Sequence, residues 1–308
     1  MTAPAAVGID VGGTKCLGIA LDHDGHVVAE HRVPTPDTPE ALVATLADIA
    51  ATLGADGAAG VAVPGLVNRD GVLLAAANLR GVKMLALRDE LEARTDLRWS
   101  VDNDNTVACL AEWRFGAGRG VDDLLLVGLG TGIGGGFVCG GVLQRGCHGF
   151  AGEFGHMIVQ AHGISCPCGQ QGCWERYASG SSLAMHARDA AGAGRLDAVV
   201  SRAGGIDELR GEHITDAALA GDPDALAVID TFADWVAIGL VNLTNTFDPG
   251  AIVISGGLSA APELFLPPIE QAFHASMYGG DDRPWPRLAF AELGPLAGGI
   301  GAALLTTL

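Results

Sequence analysis

The chain has 308 residues, about twice the length of a typical domain, so two packed lobes are expected. Apolar types make up 49% of it and charged types 18%, enough for a sizeable core and too little charge for a disordered chain. Eighteen Lys and Arg against 36 Asp and Glu leave a net charge of −18, which argues against nucleic acid or anionic membrane as a partner.

Residues 5–10, 16–21 and 27–33 read as three short strands joined as hairpins, broken at Gly12-Gly13 and turned at Asp24-Gly25. Thr38-Pro39-Glu40 starts a helix, and Leu42, Leu46, Ile49 and Leu53 recur on one face of it. Residues 60–63 predict a buried strand ending at Pro64-Gly65, followed by a helix at 85–94, a strand at 97–101 and a helix at 105–115. Gly116, Gly118 and Gly120 mark the expected lobe boundary. A small α/β lobe then covers 1–116, completed by a C-terminal helix 295–308, and a larger α/β lobe covers 117–294. Past the boundary the layout restarts, with a strand at 123–129, a glycine-rich turn at 130–136 and a strand at 137–143. The same strand, Gly/Thr turn and strand occur at 7–21, so a duplicated architecture is expected. A long helix at 224–247 carries Ile229, Phe232, Val236, Leu240 and Leu243 on one stripe, and a strand at 251–255 leads into Gly256-Gly257.

No run of about 18 uncharged, glycine-poor apolar residues occurs, so no membrane span is expected. The first residues lack a basic stretch, so no export signal is expected either, and the expected location is cytoplasmic. Seven cysteines in such a chain do not read as a disulfide framework. Cys16, Cys109, Cys139 and Cys147 read as small buried apolar residues.

Four motifs carry chemistry. Asp10-Val-Gly12-Gly13-Thr14-Lys15 sets a carboxylate beside glycines, a hydroxyl and an ammonium, a set suited to phosphate and to Mg²⁺ at Asp10. Gly130-Thr131-Gly132-Ile133-Gly134-Gly135 fits the spacing of a dinucleotide loop, but a strand and not a helix follows, so a second phosphate-cradling hairpin is expected. Asp102-Asn103-Asp104-Asn105-Thr106 offers more polar side chains than one helix cap requires, and a carboxylate outside a strand end can act as a base. Cys166, Cys168 and Cys173 with a histidine make a closed Cys₃His set of the structural zinc type, with His156 or His162 as fourth ligand. Glu153 and Glu175 flank that set and can accept hydrogen bonds from a polyhydroxylated ligand.

These motifs, in this order and over nearly the whole chain, resemble the ROK family (repressors, open reading frames, kinases), most closely its ATP-dependent glucokinases and amino-sugar kinases. The resemblance implies an actin/hexokinase-like, ribonuclease H-like duplicated fold of two α/β lobes with sugar and nucleotide in a central cleft. It implies Asp104 as catalytic base, Asn78, Asn103, Glu153, His156 and Glu175 on sugar hydroxyls, and Gly65 lining that pocket. ATP is expected at Asp10, Gly12, Gly13, Thr14, Lys15, Gly130, Thr131 and Gly132, with Gly256 and Gly257 against the adenosine. The zinc ligands implied are His156, Cys166, Cys168 and Cys173, which decides against His162 and gives the metal a structural role. The reaction implied is phosphoryl transfer from Mg·ATP to O6 of glucose, with N-acetylglucosamine and N-acetylmannosamine as alternatives, by a homodimer. Two departures stand out: Thr106 replaces a second Asn after the Asn-Asp pair, and Ala77 precedes Asn78 where Pro is common. A non-catalytic sugar sensor is the competing reading; the family's repressors carry a winged helix ahead of the first glycine turn, and Asp10 stands too early for one. Polyphosphate as donor is disfavoured by the few basic residues.

Overall fold

The structure, a computed structural model, describes residues 4–76, 79 and 81–307. The chain divides into two compact units, the first made of Met1–Asp122, Gly136–Gly152 and Glu292–Leu308, the second of Asp123–Gly135 and Glu153–Ala291.

In the first unit, β1 (Ala6–Val11), β2 (Lys15–Leu21) and β3 (Val27–Pro34) form antiparallel hairpins. Helix α1 (Pro39–Thr52) follows, its first turn capped by the Thr38 hydroxyl, which accepts from Ala41 N–H at 3.2 Å. Next come β4 (Ala58–Val63), a small sheet of β5 (Leu66–Val67), β6 (Leu73–Ala75) and β7 (Lys83–Leu85), then α2 (Leu87–Arg94), β8 (Arg98–Asn103) and α3 (Asp104–Phe115). The main sheet runs β3-β2-β1-β4-β8, with β1, β4 and β8 parallel. The apolar stripe of α1 meets one sheet face, burying Leu42, Leu46 and Ile49 with Ile9, Val61 and Trp99. Helix α3 and the C-terminal helix Ala297–Leu305 cover the other face. That last helix lies backbone to backbone on the sheet: a Cβ on Gly8 would run into Ala303 N, and one on Gly60 into Ala302 O.

Residues 117–122, 136–152 and 292–294, assigned to the larger lobe from the sequence, make their contacts within the first unit. Two side chains account for much of this. The fully buried Glu112 carboxylate accepts the N–H groups of Ala117 (2.9 Å), Glu292 (3.1 Å) and Leu293 (2.8 Å), so it ties two distant segments to α3. Arg69 Nε donates to the carbonyl of Gly146 at 2.7 Å.

The second unit opens with β9 (Leu124–Leu129) and the first residues of β10 (Ile133–Cys139), whose remainder counts with β11 (Val142–Gln144) in the first unit. The helices α4 (Glu175–Ala178), α5 (Gly180–Gly192), α6 (Asp197–Ala203), α7 (Gly211–Leu219) and α8 (Pro223–Phe247) follow. Then come β12 (Ala251–Gly256), α9 (Pro262–Ser276) and β13 (Arg287–Phe290), and the chain closes with α10 (Ala297–Leu305). The sheet order is β11-β10-β9-β12-β13, with β9, β12 and β13 parallel, which repeats the order of the first sheet.

Two expectations are corrected. The glycine turn is shorter than 130–136, because Gly134, Gly135 and Gly136 lie in β10, where Gly135 makes room for the Phe154 ring and Gly136 for Cys109. Cys139 and Cys147 are exposed, the first at the tip of the β10–β11 hairpin, whereas Cys16 and Cys109 are buried. Helix α8 is long and apolar enough to cross a membrane by length and composition, though it carries acids. With 56% of its most apolar window buried and Phe232, Val236 and Leu240 inside the unit, it serves as a core helix.

Candidate active site

The C-terminal ends of three adjacent parallel strands gather the acidic motifs of the first unit. Register places Asp10 beside Ala62, and Val63 beside Asn103, so Asp10, the Pro64-Gly65 turn and Asn103-Asp104 share one sheet edge, where ligands of open α/β sheets bind. Gly65 has φ 105°, and a Cβ there would strike the carbonyl of Ala75, so only glycine fits. Its carbonyl accepts from Asn103 Nδ2 at 3.1 Å. Asn103 is also the N-cap of α3, its Oδ1 accepting from Asn105 N–H (2.9 Å) and Thr106 N–H (3.1 Å). Capping thus occupies Oδ1 of Asn103 and leaves Asp104 for other work. Asp104 Oδ1 accepts from the backbone and side-chain N–H groups of Asn105, at 2.9 and 3.0 Å. An amide therefore does reach Asp104, from position 105, while Thr106 is buried. Asn78 lies outside the described residues.

Burial raises the carboxyl of Asp104 above the usual range, and the hydrogen bonds from Asn105 restrain the rise. Burial, with the charge of Asp104 next, pushes Asp10 up to about 7 against the pull of Lys15. The hairpin after Asp10 is braced from β3: Thr35 N–H donates to Thr14 O (3.1 Å) and its hydroxyl to Gly12 O (2.6 Å). Gly12 N–H is taken by Lys15 O at 2.9 Å, so an anion would be met by Gly13, Thr14 and Lys15, which are exposed. Asp102, one residue before the Asn-Asp pair, is fully buried and ion-paired with Arg145.

In the second unit, the turn 130–132 is held from α5. Gly180 N–H donates to Gly130 O (2.8 Å) and the Ser181 hydroxyl to Thr131 O (2.9 Å). Gly256 ends β12 at φ 104°, so close to β9 that a Cβ would run into Leu129 O, whereas Gly257 has open space. Gly130, Thr131 and Gly257 line a cavity of about 600 Å³ together with Ser181, Arg210 and Glu212, and Leu183, Leu258 and Phe265 supply an apolar wall. Ser181, Arg210 and Glu212 stand in none of the four motifs. The run Ser179-Gly180-Ser181-Ser182, a helix start with Ser179 as N-cap, was the available signal for the first of them.

The cysteine stretch is built on a tryptophan. Trp174 is fully buried, donates from Nε1 to Trp235 O (2.7 Å) and lies against Gly239 of α8, fixing its neighbours Cys173 and Glu175. A turn in which Gly169 N–H donates to Cys166 O (3.0 Å) and the positive φ of Gly169 and Gly172 fold the loop back. One ligand atom from each of His156, Cys166, Cys168 and Cys173 lies within 4.8 Å of the others. Cys168 Sγ and Cys173 Sγ are 3.6 Å apart, and Cys166 Sγ is 3.9 Å from His156 Nδ1. A tetrahedron with Zn–S of about 2.3 Å has edges of about 3.8 Å, so this donor set fits such an ion. His162 is not in the group. Around it, Cys166 donates to Glu175 Oε1 (3.0 Å), Glu175 Oε2 stands 3.5 Å from Ile133 N–H, and His156 Nε2 is 4.0 Å from Glu153 Oε2. Glu153, His156, Glu175 and the glycine turn thus form one neighbourhood of the second unit.

Residues 6–307 match the model of the ROK family. A glucokinase of Streptomyces coelicolor is 38% identical over 303 residues, 96% of each chain. The crystal structure of a ROK family glucokinase from Streptomyces griseus in complex with glucose and AMPPNP superposes with a TM-score of 0.85 at 39% identity, covering 97% of this chain and 98% of that one. A ROK hexokinase from Thermus thermophilus gives 0.82 at 34% identity, covering 97% of each. Fold, motifs and whole-chain matches agree: the chain belongs to the ROK family.

Proposed function

We propose that this ROK protein is an ATP-dependent glucokinase that transfers the γ-phosphoryl group of ATP to O6 of glucose. The observation that carries the reading is the whole-chain similarity to a glucokinase bound to glucose and AMPPNP, in a chain whose Asn103-Asp104 pair stands at the parallel strand ends. Asp104 accepts the proton of the attacking hydroxyl as the oxygen closes on phosphorus. Its raised affinity for a proton suits a base that must both take one up and give it back. Asn103 and the Gly65 turn orient the hydroxyl in the first unit; Glu153, His156 and Glu175 hold sugar hydroxyls in the second. Gly13, Thr14, Lys15 and the turn 130–132 are assigned to the phosphates, and the cavity beside Gly257 to the nucleoside. Mg²⁺, when bound with ATP at Asp10, supplies positive charge to the transferring group. Zinc in the Cys₃His set, with no ligand position left over, holds the loop carrying the sugar residues. The resemblance adds a cytoplasmic homodimer to this reading.

The test is an ADP-release assay across glucose, mannose, fructose, N-acetylglucosamine and N-acetylmannosamine. Glucose should give the highest kcat/KM; an N-acetylated sugar in first place would move the assignment to an amino-sugar kinase, and no turnover with any would favour a sensor.

A further inference from the structure

Helix α10 meets the end of β1 through Gly298. A Cβ built there would lie 2.6 Å from Cγ of Asp10, and 2.8 and 2.9 Å from its two carboxylate oxygens. All three distances are shorter than real Cβ atoms keep, so an alanine would displace either the helix or the carboxylate. The helix is the less able to yield. Gly8 and Gly60 bring β1 and β4 directly against its backbone at Ala303 and Ala302. On a third side, Gly301 sits against the carbonyl of Val107, and Gly299 against Ile19. At Gly8, Gly60 and Gly301 the nearest atoms are backbone and cannot readjust as a side chain would, and close-packed interiors transmit a displacement without absorbing it. Asp10 ends in a carboxylate that turns about two single bonds. Gly298 is the second residue of α10, in its first turn.

We propose that Gly298 is a positioning residue for phosphoryl transfer: its missing Cβ leaves the volume that fixes where the Asp10 carboxylate stands. The proposal rests on the kinase reading of Asp10. Its distinctive consequence is a split between fold and function. Alanine at this position turns the carboxylate away from the phosphates while the helix keeps its seat, so stability is preserved and transfer is lost.

Full-length Gly298→Ala should lose turnover by about 10²-fold, the cost of a misplaced active-site group. Calorimetry should show affinity for AMPPNP with Mg²⁺ falling about tenfold, the lower end of the range for a residue behind a ligand. Glucose affinity should stay within about twofold, and the melting temperature should stay level or rise, alanine being the better helix former. Asp10→Ala supplies the second axis. With the carboxylate gone the Cβ has room, so Asp10→Ala/Gly298→Ala should match Asp10→Ala in turnover and nucleotide affinity, and should melt like it even if Gly298→Ala alone melts early. Wild-type turnover and nucleotide affinity in Gly298→Ala, with Asp10→Ala impaired, overturn the proposal. So do additive losses in the double variant, or a double variant that melts as early as Gly298→Ala. An unimpaired Asp10→Ala fails differently: it removes the kinase reading of Asp10 itself.

Discussion

The two five-stranded sheets have the same strand order and end their parallel strands in opposite chemistry. In the first, β1 and β8 run out into Asp10 and Asn103-Asp104; in the second, β9 and β12 run out into Gly130 and Gly256. Carboxylates at a strand end bring charge and a proton acceptor, and they must be desolvated to be useful. Glycines bring bare backbone and empty space, here a cavity wide enough for a nucleoside. One scaffold used twice can therefore divide a two-substrate reaction by changing only what terminates its strands.

The sharpest way to break this contrast is to neutralise the first unit's acid. Asp104→Asn keeps the shape and the α3 start, and should lower turnover by about 10²–10⁴-fold with glucose affinity retained by calorimetry. Turnover within about tenfold of the parent would reassign the base.

Charged strand ends also carry an electrostatic liability that glycine ends lack. Asp102 is fully buried and its carboxyl is raised by burial even with Arg145 beside it. Arg145→Met removes the ion-pair partner of that charge, leaving only the Asn103 N–H and the weaker pull of Arg69, and should cost about 3–5 kcal/mol of stability at neutral pH. The pH dependence has a definite sign. A carboxyl raised in the folded state contributes stability that is present below its unfolded pKa and lost as pH rises through the folded one. The variant should therefore approach the parent's melting temperature towards acid and fall further behind it towards neutrality; a gap that is flat with pH would refute this account.

Third in size is the metal. Chelation of a sample that stays folded should lower glucose affinity about 10–100-fold and AMPPNP affinity much less, because the Cys₃His loop lies between Glu153 and Glu175 in sequence and the cavity lies outside it. Elemental analysis showing no zinc in active protein would remove the premise. The smallest effect compares two neighbouring glycines. Gly256→Ala must adopt φ 104° against Leu129 O and should lower the melting temperature as well as AMPPNP affinity, the latter by about tenfold or more, whereas Gly257→Ala, whose Cβ meets no protein atom but enters the nucleotide cavity, should lower AMPPNP affinity alone. Equal effects would mean that the cavity does not depend on the close approach of β12 to β9.

Local signals were legible in the sequence and distant ones were not. Strand–glycine–strand units, the apolar stripe of α8 and the Cys₃His spacing all act over a few residues. Helix α9 escaped because Pro267 and Pro268 lie inside it, although Phe265, Ile269 and Phe273 keep one buried face at four-residue spacing. Strands β5 to β7 are two or three residues long, too short for any alternation to register. The partner of Asp102 lies more than forty positions away at Arg145, and the segments that Glu112 ties to α3 include one near the far end of the chain. Gly298 sat in a helix of small residues, where a glycine that spares a carboxylate reads the same as one that spares a backbone.

The seat of α10 on Gly8 and Gly60 also sets an order of events during synthesis. The first unit needs residues 292–308, which begin 170 positions after Asp122. At about 5–20 residues per second they are made roughly ten to thirty seconds later. Throughout that interval β1 and β4 present an uncovered groove, and Glu112 lacks two of its three donors. The second unit needs nothing beyond Ala291. The part of the protein translated first is thus the part completed last. A released chain truncated just before residue 292 should resist proteolysis across α8 and β12 while remaining open to it at α3 and β1.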